Sequence, residues 1–314
     1  MWQDLDYFRT KDGLVYLVKG NHHPDNIVRA YPVYWPSETG ERYHLTRGSY
    51  HKKPTDPNNN ELYRIYPQYR PSKEPLSVPA VQVKDIEEHF LPRQAAIRFA
   101  HDQEQQETIW NELYKSLLEA GVPQEDVGII GSYLVEVHRD KEDRHIKDID
   151  FVVYGLENMK KVKRNIEMIR QKLNATAISP EHVAYHAKKY QGILSPESTL
   201  ALSLQRKWPA LQLAPGLLDS IRFVYYPEET PPDPWALDKK EEIILQGEVV
   251  DDTHAVFMPR RFTVAADKNY QIVIPYWGWY SPVRNKDKVK IKGVLLEDNK
   301  TVVLLSQEHY LIIQ

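Results

Sequence analysis

A punctuated run between residues 128 and 154 narrows most what this chain can fold into. A short apolar segment stops at Gly131-Ser132, a charge-rich span follows, and Asp148-Ile149-Asp150 leads directly into Phe151-Val152-Val153-Tyr154. Four consecutive apolar, β-prone residues read as a buried strand. Residues two apart in a strand point the same way, so Asp148 and Asp150 aim at one spot at the mouth of a sheet. Two carboxylates forced together repel unless a proton or a cation lies between them. Mg²⁺, or Mn²⁺ in its place, is the cation expected for hard oxygen donors that must leave room for phosphate oxygens. Gly131-Ser132 reads as a turn from a strand into a helix. Glycine there permits close backbone approach, and a helix start offers free N–H groups to an anion. A metal site and a phosphate cradle on one sheet are what phosphoryl or nucleotidyl transfer requires.

Gly131, Ser132, Asp148 and Asp150, in this order and on successive strands, resemble the signature of the DNA polymerase beta-like nucleotidyltransferase superfamily. The resemblance extends over roughly residues 95–226. It implies an α+β fold whose core is a mixed sheet with helices, and an NTP as substrate. It makes Asp148 and Asp150 metal ligands and catalytic groups, with Gly131 and Ser132 facing the nucleotide; Lys147, beside the acids, reads equally as a phosphate contact or as a solvent-facing lysine. The family also carries a third carboxylate on a later strand, matched best by Asp219 within Gly216–Tyr225. An acid among apolar neighbours needs a partner. For Asp219 that is a metal shared with the other two acids, or a salt bridge such as one to Arg222. The spacer departs from the family pattern: Leu134, Val135 and Glu136 stand where small residues and another glycine are common, which leaves the substrate open.

Composition sets outer limits. The 314 residues suffice for two or three domains, and a formal net charge of −3 gives no global attraction to nucleic acid, so any such contact must come from local patches. With no cysteine, disulfides, thiolate zinc sites and a cysteine nucleophile are excluded. The N-terminus lacks the basic start and apolar core of a signal peptide, and no run approaches the roughly 18 apolar residues of a membrane span. The expectation is a soluble, cytoplasmic protein without a membrane partner.

Along the chain, residues 1–83 read as a β-rich region, 84–226 as the nucleotidyltransferase-like core, 227–239 as a proline-rich linker and 240–314 as a small β-barrel-like domain. The turn at Lys11-Asp12-Gly13 precedes a strand over Leu14–Val18, and further strands are expected over Ile27–Tyr34, Glu41–Leu45 and Glu61–Tyr66. Arg42, Arg47, His51, Lys52 and Lys53 with Tyr43 and Tyr50 read first as a solvated hairpin and second as a nucleic-acid contact. His22-His23 reads as a loop pair. Residues 84–121 read as largely helical, with Ile109, Leu113 and Leu117 on one face. Residues 157–173 form the clearest helix, with Met159, Val162, Ile166, Ile169 and Leu173 as its stripe and a basic opposite face. Ser179-Pro180-Glu181 and Ser195-Pro196-Glu197 read as helix starts. Beyond the linker, strands are expected at 255–258, 262–264, 271–274, 288–292, 301–305 and 310–313. In Lys288-Val289-Lys290-Ile291-Lys292 alternation puts the lysines on one face. With aromatics nearby they suit single-strand binding by charge and stacking, and an edge strand guarded by lysine is the equal alternative.

The resemblance thus implies an enzyme moving an NMP from an NTP to a hydroxyl, and the basic and aromatic flanks point to RNA, such as a tRNA-like end, as the acceptor. Protein nucleotidylation and a non-catalytic nucleotide- or nucleic-acid-binding module are the competing readings. A glycosyltransferase using Asp-x-Asp gives Gly131-Ser132 no role.

Overall fold

The computed structural model describes residues 1–44, 46–52, 79–102, 108–138, 149–176, 178–184, 199, 201–202, 206–214, 217–233, 236, 238–274, 283–305 and 308–314, with the backbone alone at 214 and 217–220. It is a mixed α+β protein. The chain divides into two compact units: Met1–Leu173 with Val224–Glu228, and Asn174–Phe223 with Glu229–Gln314.

The first unit begins with β1 (Tyr7–Thr10), β2 (Val15–Val18), β3 (Ile27–Pro36), β4 (Arg42–His44), β5 (Gly48–Lys52), β6 (Ala80–Gln82) and β7 (Ile86–Phe90). Helices α1 (Pro92–His101) and α2 (Ile109–Glu119) follow, then β8 (Val127–Ile130), the single turn α3 (Ser132–Val135), β9 (Val137–His138), β10 (Asp150–Tyr154) and α4 (Leu156–Lys172). One sheet runs β7-β1-β2-β3-β5-β4-β9, with β6 paired to β3. Its core is Phe8, Leu14, Tyr16, Val18, Val28, Ala30, Trp35 and Val81, all buried, with the Phe8 and Tyr16 rings stacked at 5.1 Å. The hairpin from β1 to β2 closes at the expected turn, where Gly13 N–H donates to the Thr10 carbonyl. β4 and β5 form the expected hairpin, Arg42 opposite Tyr50.

Residues 86–90, expected to be helical, are a strand instead. Ile86-Glu87-Glu88-His89-Phe90 pairs antiparallel with β1, and buried Arg9 makes ion pairs with Glu87 and Glu88. That pairing, and the one between β4 and β9, place the β-rich N-terminal residues and residues 84–173 in one unit, with no divide at 83/84. Two glutamates hide the strand from an apolar-pattern reading, because their partner is an arginine 78 and 79 residues away.

The second sheet of this unit has β8 and β10 antiparallel, Asp150 opposite Ile130 and Val153 opposite Val127. All four residues of β8 are buried, as are Phe151 to Tyr154. α2 is capped by Thr108, whose Oγ accepts the Asn111 N–H, and it buries Trp110, Leu113, Tyr114 and Leu117. α4 buries Met159, Val162, Ile166 and Ile169, the stripe expected from its periodicity. Each such aliphatic side chain contributes about 1.5–3 kcal/mol by leaving water.

In the second unit, β11 (Ala210–Ala214) and β12 (Leu217–Ser220) form a hairpin with Leu211 opposite Asp219. β13 (Arg222–Val224) is a separate strand beside β10, its Val224 belonging to the first unit and accepting the Gly155 N–H at 2.8 Å. The single strand expected over 217–226 is therefore interrupted at Ile221. The unit continues with β14 (Lys239–Asp251), β15 (Arg260–Ala265), β16 (Asn269–Ile274), β17 (Lys288–Leu296), β18 (Thr301–Val303) and β19 (Tyr310–Ile313). The order β14-β15-β16-β18-β17 closes through pairing of β14 with β17, giving a five-stranded barrel with a parallel β16–β18 step and β19 appended to β17. Residues 255–258, expected as a strand, are turns. Asp251 Oδ1 accepts the Thr253 N–H, the Asp252 carbonyl accepts the Ala255 N–H, and Ala255 and Phe257 are buried without a ladder.

Gly128 tests the packing of β8. A Cβ built there would lie 2.7 Å from Val152 Cγ1 and 2.9 Å from Pro92 Cβ. Gly128→Ala is expected to destabilise by about 1–3 kcal/mol as an overpacked core position, read from urea unfolding, whereas Ile97→Ala on the exposed face of α1 shifts it by no more than about 0.5 kcal/mol.

Candidate active site at the Gly131–Asp150 junction

The site is built by the register of β8 and β10. Ile130 and Asp150 face each other at the end of the ladder, and β8 continues into Gly131 while β10 has only begun. Gly131 adopts φ 79°, ψ −148°, a region essentially restricted to glycine. The half-buried Asp150 carboxylate occupies the space a side chain would need: Oδ2 lies 3.2 Å from where a Cβ on Gly131 would be. The Asp150 carboxylate thus lies beside the bare Gly131 backbone.

Beyond Gly131 the chain makes one helical turn only. Glu136 ends it in the left-handed conformation at φ 56°, its N–H donating to the Ser132 carbonyl. A turn this short carries little of the dipole of a full helix. What it offers an anion is the Ser132 hydroxyl and single N–H groups.

Around the turn stand Tyr133, His44 and His138, which the sequence reading did not single out. The Tyr133 ring packs edge-on against Phe99 at 5.8 Å. Burial, then the nearby Asp102 carboxylate, push its phenol up to about 12. Pairing of β9 with β4 sets Tyr43 opposite His138 and His44 opposite Val137. Burial lowers both histidines below their ordinary value, for His44 with help from the Arg9 charge, while Glu136 opposes the shift in each. No local signal marks these residues, since 93 positions separate His44 from Val137.

The other expected site residues fall differently. Lys147 and Asp148 lie outside the described residues. Asp219 lies in the β11–β12 hairpin of the second unit, a different sheet from that of Asp150, and its side chain is outside the description. Among the described residues no three His, Asp or Glu side chains are grouped so as to hold a metal ion. Asp150 supplies hard oxygen donors of the kind Mg²⁺ takes.

The remaining candidates have structural partners. On the basic face of α4, Lys160 pairs with Glu157, Arg170 with Glu167 and Lys172 with Glu119, and Lys161 donates to the Gly121 carbonyl. His23 Nδ1 accepts the Arg29 N–H and the His22 carbonyl accepts from the Arg29 guanidinium, so this pair braces a turn. Ser179 Oγ accepts the His182 N–H as an N-cap, and Ser195-Pro196-Glu197 lies outside the described residues. Among the described residues no helix is long and apolar enough to cross a membrane.

Compared with protein-family models, with curated proteins and with solved structures, the chain matches none.

Two outcomes follow from this geometry. Gly131→Ala is expected to cost about 1–3 kcal/mol in urea unfolding and to displace the Asp150 carboxylate. In a spectrophotometric titration the wild-type protein is expected to show a tyrosinate step near 12 that Tyr133→Phe lacks. Because the folded phenol is the weaker acid, its contribution to stability is complete below about 10 and is lost as pH rises towards about 12.

Proposed function

We propose that the chain is a metal-dependent nucleotidyltransferase of the polymerase beta-like type, moving an NMP from an NTP to a hydroxyl acceptor, an RNA end in the first instance. The observation that carries this reading is the seating of the Asp150 carboxylate against Gly131 at the open end of the β8–β10 ladder, one residue from Ser132. An acid there meets whatever the Gly-Ser backbone cradles, which is the relation that acid and phosphate need.

In this reading Asp148 and Asp150 hold Mg²⁺ or Mn²⁺. The ion, when bound, neutralises triphosphate charge and lowers the pKa of the acceptor hydroxyl. Gly131 allows the phosphates close to the backbone. The Ser132 hydroxyl donates to a phosphate oxygen, and Lys147 adds a positive charge. The hydroxyl proton goes to a carboxylate; Asp219, the residue the resemblance matches to that part, lies in the other compact unit. The hydroxyl oxygen attacks the α-phosphorus, the bond to the bridging oxygen breaks, and pyrophosphate leaves. A single helical turn supports this less by its dipole than by donors placed one at a time.

The test is incubation with each NTP labelled at the α-phosphate, Mg²⁺ and total RNA. Label is expected in RNA, with equimolar pyrophosphate, and Asp150→Asn and Asp148→Asn are each expected to reduce both by about 100-fold or more. Label in the protein instead favours nucleotidylation of a side chain. Nucleotide affinity without pyrophosphate release, equal in parent and variants, would make the chain a binding module and end the catalytic reading.

A further inference from the structure

The barrel of the second unit carries a row of cations that the Asp150 site does not use. In β17, Val289 and Ile291 are fully buried while Lys288, Lys290 and Lys292 alternate with them on the outer face. In the turn just before the strand Arg284 and Lys286 are exposed as well. Asp287 fixes that turn: its Oδ2 accepts the Arg284 N–H and its Oδ1 pairs with Arg206 at 2.7 Å, while Arg284 Nη2 donates to the Arg206 carbonyl. Lys292 pairs with Glu242 at 3.3 Å. Lys288 and Lys290 make no ion pair among the described residues.

The two borders of the row differ. On β14, Glu248, Gln246 and Ile244 stand opposite Lys288, Lys290 and Lys292. On β19, Ile312 stands opposite Lys290 and Tyr310 opposite Lys292, both partly exposed. The positive track is therefore one residue wide, with Glu248 opposite Lys288 on the β14 side and Tyr310, opposite Lys292, at its end on the β19 side.

We propose that this track, Arg284, Lys286, Lys288 and Lys290, with Tyr310 beside it, binds the backbone of single-stranded nucleic acid. Three arguments favour that occupant. Alternate residues of a strand repeat every ~6.8 Å, so Lys288 and Lys290 present charges in a line that an extended polyanion can follow. A broad anionic surface such as a bilayer would have to cover Glu242 and Glu248 as well. A partly exposed Tyr310 next to the charges offers a face on which a base can stack, worth about 1–3 kcal/mol per base. The barrel presents the track rigidly, because β17 is held by β14 along its whole length. The inference stands whether or not the Asp150 site transfers nucleotides.

The test uses the full chain, with fluorescence anisotropy of labelled 20-mers of U and dT at several salt concentrations. The parent is expected to bind with a linear log–log salt dependence. Lys288→Gln/Lys290→Gln is expected to flatten that slope by about 1.4, at roughly 0.7 per phosphate contact, and Tyr310→Ala to weaken binding by about 5- to 150-fold with the slope retained. Lys239→Gln/Lys240→Gln, on the same barrel away from the row, leaves both unchanged. Unaltered circular dichroism and melting of the variants separate loss of contact from loss of fold. An unchanged slope in the lysine pair, or no binding at low salt, overturns the proposal. So does lysine-dependent binding of phosphatidylserine vesicles or polyglutamate in place of the oligonucleotides. Loss of nucleotidyl transfer in Asp150→Asn with oligonucleotide binding intact would show that the two sites are separate.

Discussion

Everything at the candidate site depends on the ladder between β8 and β10. Both strands are apolar and buried, so slippage by one residue would turn each buried side chain to the wrong face of the sheet. That penalty fixes Asp150 opposite Ile130, and the fixed register in turn presses the carboxylate against Gly131. A polar contact at the rim is thus positioned by hydrophobic packing several residues away. Gly128 and Pro92 on one side and the Phe99–Tyr114–Phe151 ring cluster around it make that packing tight.

The sequence revealed those parts of the fold whose pattern is local. α4 shows its stripe every three or four residues, and the strands at 262–264, 271–274, 288–292 and 310–313 carry alternating or continuous β-prone runs, all present in the structure. β1 and β7 escaped because Arg9, Glu87 and Glu88 are satisfied by each other across the ladder. β14 escaped as well, although Leu245 and Val249 are buried at even spacing. The charged Lys239–Glu242 start masks a strand whose long pairing with β17 is its main support. The opposite error occurred at 255–258, where aspartate-anchored turns prevail over an apolar run.

The glycine turn at Gly131 and the strand that Asp150 opens were legible in the sequence, because glycine conformation and β-prone runs are local properties. Tyr133, Glu136, His44 and His138 were not. Tyr133, Glu136 and His138 are neighbours in one segment, and the two-residue strand β9 reaching back to β4 brings His44 to them, a pairing with no compositional signature. The break at Ile221, whose N–H donates to the Pro209 carbonyl, was equally silent. It assigns Asp219 to the β11–β12 hairpin and Val224 to the sheet of Asp150.

That last assignment has a bearing on biosynthesis. The first compact unit is not contiguous: it ends at Leu173 and then claims Val224–Glu228. On the ribosome, the nascent N-terminal half emerges with the outer edge of β10 still open, and it stays so until some fifty further residues have been made. Expression of residues 1–173 alone would leave that edge permanently unpaired and ready to recruit a strand from another molecule, so dissection of this protein into working pieces must carry Val224–Glu228 along with the first half.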